Sequence, residues 1–259
     1  MKITSLLENT TEREDMQVEH GLSLYIETGH HRILFDMGQT DLFYHNAKAL
    51  GIDLSKVDRA ILSHGHYDHG GGLGKFLELN HHAPVYIRKD AFLPYYNGTE
   101  KYIGLDVSLK NHPQLIFTDE EYYIDDSLTL FSCNGREKMH PTVPSGLNKK
   151  TGDLFLPDDF RHEQYLLIEE NGKRILISGC SHKGILDIAE WFSPSVRVGG
   201  FHYSKLPLDE ALAESARALA ANPTEFYTCH CTGWEQYEFM GRYMPSLHYL
   251  SCGQTVTIN

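Results

Sequence analysis

The sequence predicts an α/β fold in a single domain. Three features carry that expectation. From Gln164 onward, apolar runs of strand length alternate with stretches of helical spacing. Strand pairs are marked by turns, "ETGHHR" near the start and Asn171-Gly172 later. The 259 residues suffice for one sizeable core, with no short repeat, low-complexity tract or linker to divide them.

In chain order, short apolar runs at 3–7, 22–27 and 32–35 read as a β-meander. "TDLFYHNAKALG" has helical spacing at Leu42, Phe43, Ala47 and Leu50, between a Thr/Asp start and a Gly stop. "VDRAILS" reads as a short buried strand, and "GGLGKFLELN" as a helix entered through glycines. Residues 88–160 hold Pro, Gly, Asn and charged residues around weak strands such as 127–133, and are expected to be an insertion that covers a site. "YLLIEENGKRILIS" reads as a hairpin, because Asn-Gly supplies the left-handed residues of a tight turn. A helix (185–192), a strand (196–199), a helix (208–221) and a strand (225–228) follow. A last helix near 235–242 and strands at 247–250 and 255–258 complete the chain.

Composition narrows the function. A formal charge of −12 with a pI near 5.7, and no Lys/Arg-rich block, argues against a nucleic-acid partner, whose phosphates need clustered cations. "MKITSLLENT" lacks the apolar core of a signal peptide and no apolar run is long enough to span a bilayer, so a cytoplasmic protein without a membrane partner is expected. The five scattered cysteines suit reduced thiols better than a disulfide framework. Sixteen histidines are the compositional oddity.

Several of those histidines are concentrated in "LSHGHYDHGGG", residues 62–72. If the strand ends near Ser63, two-residue alternation keeps His64 and His66 on one side, while Asp68 and His69 follow a turn at Tyr67. Imidazole and carboxylate together suit Zn²⁺, with Fe or Mn²⁺ as alternatives, and one loop of this kind can serve two metals. Gly65, Gly70, Gly71 and Gly72 permit the tight backbone that such close ligands need.

"SHGHYDHGGGL" matches the HxHxDH signature of the metallo-β-lactamase-fold superfamily, and "HRILFDMGQ" resembles its strand ending in an Asp-x-Gly turn, here Asp36 and Gly38. The resemblance spans the chain. It implies an αββα sandwich with a metal site, usually dinuclear, at one edge of two sheets. It further implies that His64, His66 and a later histidine bind the first metal, and that Asp68, His69 and a final histidine bind the second, with a bridging carboxylate between. Matching "RHEQYLLIEENGKRILISGCSH" to that pattern makes His162 the third histidine and puts Cys180 at the bridge. The thiol is a departure: either Cys180 is a ligand or His182 faces the metals instead.

By the same resemblance, "EFYTCHCTG" supplies the last ligand, His230. Cys229 and Cys231 point the opposite way if the strand continues, and are expected to be small buried thiols. His202, in "GGFHY", falls above the same edge as a general acid or a partner for a substrate oxyanion. His20 in "VEHGLSLYIE" and His140 in "KMHPTVPSG" are candidate substrate contacts.

"ENT", "EHGLSLYIE", "HEQYLLI", "SGCSHKGI", "GGFH" and "CHCTG" together resemble one branch of the superfamily, labelled 7,8-dihydropterin-6-yl-methyl-4-(β-D-ribofuranosyl)aminobenzene 5′-phosphate synthases. The expected chemistry is hydrolysis of a small anionic, phosphorylated or pterin-like substrate by a hydroxide that one or two Zn²⁺ ions activate. Asp68 would orient the hydroxide and take its proton, while His202 or His182 stabilises developing charge or protonates the leaving group. Two alternatives stand beside it: a dihydropterin-linked synthase forming a C–N bond, and a non-catalytic small-molecule-binding protein that keeps the metal pocket. Phe92, Tyr95, Tyr96 and Tyr102 are available to stack a ring. The oligomeric state is left open.

Overall fold

A strand sends successive side chains to opposite faces, so short strands with two apolar faces dictate how layers stack. The computed structural model describes residues 1–142 and 145–259. Its chain opens with an antiparallel meander of β1 (Lys2–Leu7), β2 (Ser23–Glu27) and β3 (Arg32–Phe35). Helix α1 (Leu42–Ala49) leads to β4 (Arg59–Ile61), and α2 (Tyr67–Gly70) with α3 (Leu73–Leu79) leads to β5 (Val85–Arg88). β3, β4 and β5 run parallel.

Among its described residues, the stretch expected to be a covering insertion contains seven short strands: β6 (Tyr95–Asn97), β7 (Lys101–Tyr102), β8 (Leu115–Thr118), β9 (Glu121–Asp125), β10 (Leu128–Phe131), β11 (Leu147–Thr151) and β12 (Leu154–Pro157). They go to three places. β8 extends the first sheet beside β5, β9 and β10 edge a second sheet, and only β12-β11-β6-β7 stand apart as a small sheet of their own. The separate part is thus narrower than 88–160. Edge strands explain why: Phe117 on β8 and Tyr123 on β9 are exposed, so neither strand reads as a buried apolar run.

The hairpin β13 (Tyr165–Glu170) and β14 (Lys173–Ile177) turns at Asn171 and Gly172, both with positive φ (53° and 74°), as a primed turn requires. α4 (Ile185–Phe192), β15 (Val196–Val198), α5 (Glu210–Ala220), β16 (Glu225–Thr228), α6 (Trp234–Met240) and β17 (Leu247–Tyr249) follow, with β14 to β17 parallel. β18 (Thr255–Thr257) returns to pair with β1. Two seven-stranded sheets result, ordered β18-β1-β2-β3-β4-β5-β8 and β17-β16-β15-β14-β13-β10-β9.

Alternation assigns the cores. Ile33 and Phe35 of β3 meet Leu166 and Ile168 of β13 and Ile175 and Ile177 of β14 between the sheets. Leu34 faces outward into a second core with Phe43 and Ala47 of α1 and Phe76 of α3. On the far side, α4, α5 and α6 cover the second sheet through Ile185, Ala216, Met240 and Phe226. The layers are therefore α, β, β, α, in one domain. Among the described residues no helix is long and apolar enough to cross a membrane.

Candidate metal centre

Ligands of open α/β sheets gather beyond the carboxyl ends of the strands, and the histidines of this chain do so. β4 runs out into Ser63 and His64. The buried Asp36 carboxylate, just past β3, accepts from Ser63 N–H through Oδ1 at 2.7 Å and from Ser63 Oγ through Oδ2 at 2.7 Å. Ser63 has a single hydroxyl proton and gives it to Asp36, so the 2.8 Å contact to His64 Nδ1 must be a donation from the ring. His64 Nε2 is left with its lone pair. Asp36 Oδ2 also accepts from His69 Nδ1 at 2.7 Å, which turns His69 Nε2 toward Cys180 Sγ, 3.1 Å away. One carboxylate thus fixes the tautomer and aim of two ligand-type histidines.

The glycines of this loop serve close approach rather than left-handed backbone. A Cβ on Gly65 would sit 2.2 Å from the Ala91 carbonyl oxygen, and one on Gly71 2.1 Å from that of Gln39.

After β14, the buried Glu163 carboxylate accepts from His182 N–H (2.7 Å), Lys183 N–H (3.1 Å) and Tyr165 O–H (2.6 Å). The buried Arg197 guanidinium donates to Ser178 Oγ and the Gly200 carbonyl, bracing the same loop. His182 stacks flat on Phe160, with centroids 4.3 Å apart and planes at 2°, and meets the His64 and His66 rings edge-on at 4.9 and 5.1 Å.

His162, the expected third histidine, has both ring nitrogens hydrogen-bonded, while its donor atoms, with those of His66 and Asp158, form a further set within 4.8 Å of one another. Gly65 N–H donates to its Nδ1 at 2.8 Å, so the proton is on Nε2, which donates to Asp158 Oδ2 at 3.0 Å. Both nitrogens are spent on structure. His182, neither of whose nitrogens has a hydrogen-bond partner among the described residues, groups with His64 and His66 within 4.8 Å, and Cys180 and His182 both line the cavity.

Past β16 the chain turns left-handed at His230, φ 50°. That turn is held by Glu8, whose buried Oε1 accepts from His230 N–H (2.8 Å) and Tyr249 O–H (2.7 Å). Asn9 Oδ1 accepts from Gly21 N–H and, at 2.8 Å, from His230 Nδ1. Its amide nitrogen then donates to His20 Nδ1 at 3.3 Å, leaving the His20 proton on Nε2, 3.3 Å from Asp68 Oδ2. Strand alternation ends at this turn, so Cys229 is buried between the sheets but Cys231 lines the same cavity as His230. The expectation that both thiols point away fails for Cys231 for that reason.

Burial pushes His64 and His182 well below the usual imidazole range, and His230 and His202 down to about 4. Burial works against His69 as well, but the Asp36 and Asp68 carboxylates outweigh it and hold that ring up to about 9. Asp68, which burial would raise, is kept well below the carboxylate range by His69, His20 and His230.

His66, Asp68, Cys180, His182, His202 and His230 line a cavity of about 200 Å³. Among the described residues, Nε2 of His64, His66 and His230 and both nitrogens of His182 are buried without a hydrogen-bond partner, with Asp158 Oδ2 3.6 Å from His66 Nε2 and Asp68 Oδ2 3.5 Å from His230 Nε2; such an arrangement costs about 1–3 kcal/mol per group unless something binds them. Their donor atoms fall into sets within 4.8 Å of one another: His64, His66 and His182; His64, His69 and Cys180; His20, Asp68 and His230. The neutral rings of His64, His182 and His230, an ionised carboxylate and a thiol fit transition-metal binding, which would displace the second proton that Asp36 and Asp68 favour on His69.

Two other expectations are corrected. His140 donates its backbone N–H to Asp187, and its Nε2 lies 2.8 Å from Glu190 Oε1, so it is tied to α4 instead of the cavity. Phe92 packs in the core of the first sheet, Tyr95 against His162 at 4.0 Å, and Tyr96 against Tyr102 and Phe155. None of these four rings lines the cavity. Glu8, Asn9, Asp36 and Glu163 are supports that sequence reasoning did not assign, although "ENT", "FDMGQ" and "HEQ" had been noted as strings. A larger cleft of about 870 Å³ lies elsewhere, beside His31, whose nitrogens already face Asp58 and Asp125.

A family model described as the metallo-beta-lactamase superfamily matches residues 16–227. An uncharacterised protein of Methanocaldococcus jannaschii, MJ0448, is 30% identical over 247 residues, covering 90% of this chain and 91% of its own. A second protein of that organism, named 7,8-dihydropterin-6-methyl-4-(beta-D-ribofuranosyl)-aminobenzene-5′-phosphate synthase, is 27% identical over 269 residues, covering 92% and 90%. Among solved structures, that of Tm1679, described as a metal-dependent hydrolase of the β-lactamase superfamily, matches at TM-score 0.84 and 30% identity over 100% of this chain and 99% of that one.

Proposed function

Because this chain belongs to the metallo-β-lactamase superfamily, we propose that it is a metal-dependent hydrolase of a small anionic substrate, working in the cavity above the carboxyl ends of the strands. The observation that supports this reading most is the convergence of buried, unpartnered imidazole nitrogens on that cavity. His64, His66 and His182 would hold one metal; Asp68, whose Oδ2 lies 3.8 Å from His69 Nε2 and 3.5 Å from His230 Nε2, would join those two rings in holding the other, with Cys180 between. Zinc suits this donor set best, and iron or manganese are the alternatives. Bound there, the metal pair supplies Lewis acidity that polarises a carbonyl or phosphoryl oxygen and acidifies water.

The side chains divide the remaining work. Asp68, fixed by His20 Nε2–H, orients the attacking water and accepts its proton. His202, packed against His182 at 4.3 Å, facing the cavity and kept neutral by burial, stabilises charge developing on the substrate by donating a ring N–H; protonating the leaving group would first require it to gain a proton that burial disfavours. With His182 committed as a ligand, that duty passes to His202 alone. Lys101 and Lys205 line the cavity as well, a local positive pair on a chain of net charge −12, and favour an anionic substrate.

A second reading, a synthase forming a C–N bond on a dihydropterin, is supported by the 27% identical relative of that name. Turnover of a panel of phosphodiesters, esters and lactones by metal-loaded protein separates the two. Hydrolysis that disappears on chelation and in His66→Ala is the expected result. A panel left untouched by fully metal-loaded protein would overturn the hydrolase reading and turn the test to pterin condensation.

A further inference from the structure

We propose that Cys231 supplies a second thiolate to the metal centre, next to Cys180 and His230, making its second position a sulfur-rich site that selects zinc or ferrous iron over hard cations. The inference deepens the metal-centre reading above and rests on it.

Three observations carry it. Donor atoms of Cys180, His230 and Cys231 all lie within 4.8 Å of one another, and all three residues are buried. With Asp68, His69, His230 and Cys180 the second ion would already have four ligands, so Cys231 would enter as a fifth; two zinc–sulfur bonds of about 2.3 Å at a near-tetrahedral angle set their sulfurs about 3.8 Å apart, inside the observed spacing. Next, the left-handed turn at His230 is what brings Cys231 to the cavity, and it is fixed by Glu8, a residue on the opposite sheet's first strand end. An arrangement that spends a buried carboxylate on this turn aims Nε2 of His230 and Sγ of Cys231 into one space.

The third observation concerns Gly200. A Cβ there would lie 2.3 Å from Cys231 Sγ, so the thiol occupies the space that a side chain at Gly200 would fill. Among the described residues that thiol is held by a long 3.6 Å donation from Sγ to the Cys180 carbonyl and by its neighbour, the Cys180 thiol. Soft thiolates favour zinc and ferrous iron, whereas magnesium, calcium and manganese prefer oxygen. Binding releases the two thiol protons to solvent as two metal–sulfur bonds form, with no change of oxidation state.

X-ray absorption at the metal edge of zinc-loaded protein tests this without reference to activity. Metal–sulfur bonds near 2.3 Å are expected to fall by one per chain in Cys231→Ser and to stay unchanged in Cys229→Ser, whose sulfur is buried between the sheets. Alkylation mapped by mass spectrometry on the unmodified chain gives an independent readout: Cys231 should be shielded with metal bound and react after chelation. An unchanged sulfur count in Cys231→Ser at full metal content, or alkylation of Cys231 at equal rates with and without metal, would overturn the inference alone. A wild-type chain that retains no transition metal would overturn both this inference and the metal-centre reading.

Discussion

Asp36→Asn is the substitution that reaches furthest into the centre without touching a proposed ligand. Asp36 has φ 59°, a conformation asparagine tolerates well, so the backbone should hold. The asparagine carbonyl can still accept from Ser63 N–H. Its amide nitrogen, however, replaces Oδ2, which accepts from both Ser63 Oγ and His69 Nδ1. A donor facing those groups reverses them. His69 must give up its Nδ1 proton, and the Ser63 hydroxyl turns toward His64 Nδ1, so both rings carry their proton on Nε2, the atom needed for metal. Supporting shells of this kind change metal affinity by about 10- to 100-fold, or about 1.4 to 2.8 kcal/mol. Competition against a chromogenic chelator measures the affinity, and thermal unfolding of the metal-free protein shows that the fold persists. Wild-type affinity in a folded Asp36→Asn protein would refute the tautomer argument.

His182→Ala should lower bound metal by one ion per chain in elemental analysis, whereas His162→Ala should keep both ions and lose about 1–3 kcal/mol of stability, because Gly65 N–H and Asp158 lose their buried partner; the opposite pattern would restore His162 as the ligand. Gly65→Ala forces a Cβ to within 2.2 Å of the Ala91 carbonyl oxygen, so about 1–3 kcal/mol of stability should disappear, read by denaturant unfolding. Metal at 100 times its dissociation constant should stabilise the fold by about 2.7 kcal/mol, and calorimetry should show Tm falling on chelation; an unaffected Tm would mean that the centre binds nothing.

Much of this was legible in the residues themselves. The strand rhythm after Gln164 and the Asn171-Gly172 turn are local signals, and the structure has each of those elements within a few residues of its expected place. The loop from His64 to His69 was legible because its donors are close in sequence: His64 and His66 follow the strand's alternation, and the short helix α2 carries Asp68 and His69. His162 and His182 flank the same hairpin, and what separates them is tertiary: Gly65 and Asp158 engage both nitrogens of His162, and among the described residues nothing engages those of His182. Cys231 was missed because alternation was extended through a residue, His230, whose backbone is left-handed under the hold of a glutamate 222 positions away. Within 88–160, β7, β8, β9 and β12 were weak for an ordinary reason, that edge strands bury only part of each face.

Anomalous diffraction from crystals of metal-loaded protein tests the central claim most directly. Two peaks about 3.5 to 4 Å apart are predicted, one beside His64, His66 and His182 and the other beside Asp68, His69 and His230, with Cys180 sulfur between them. An empty cavity at full metal supply, or metal bound only outside it, would contradict the account.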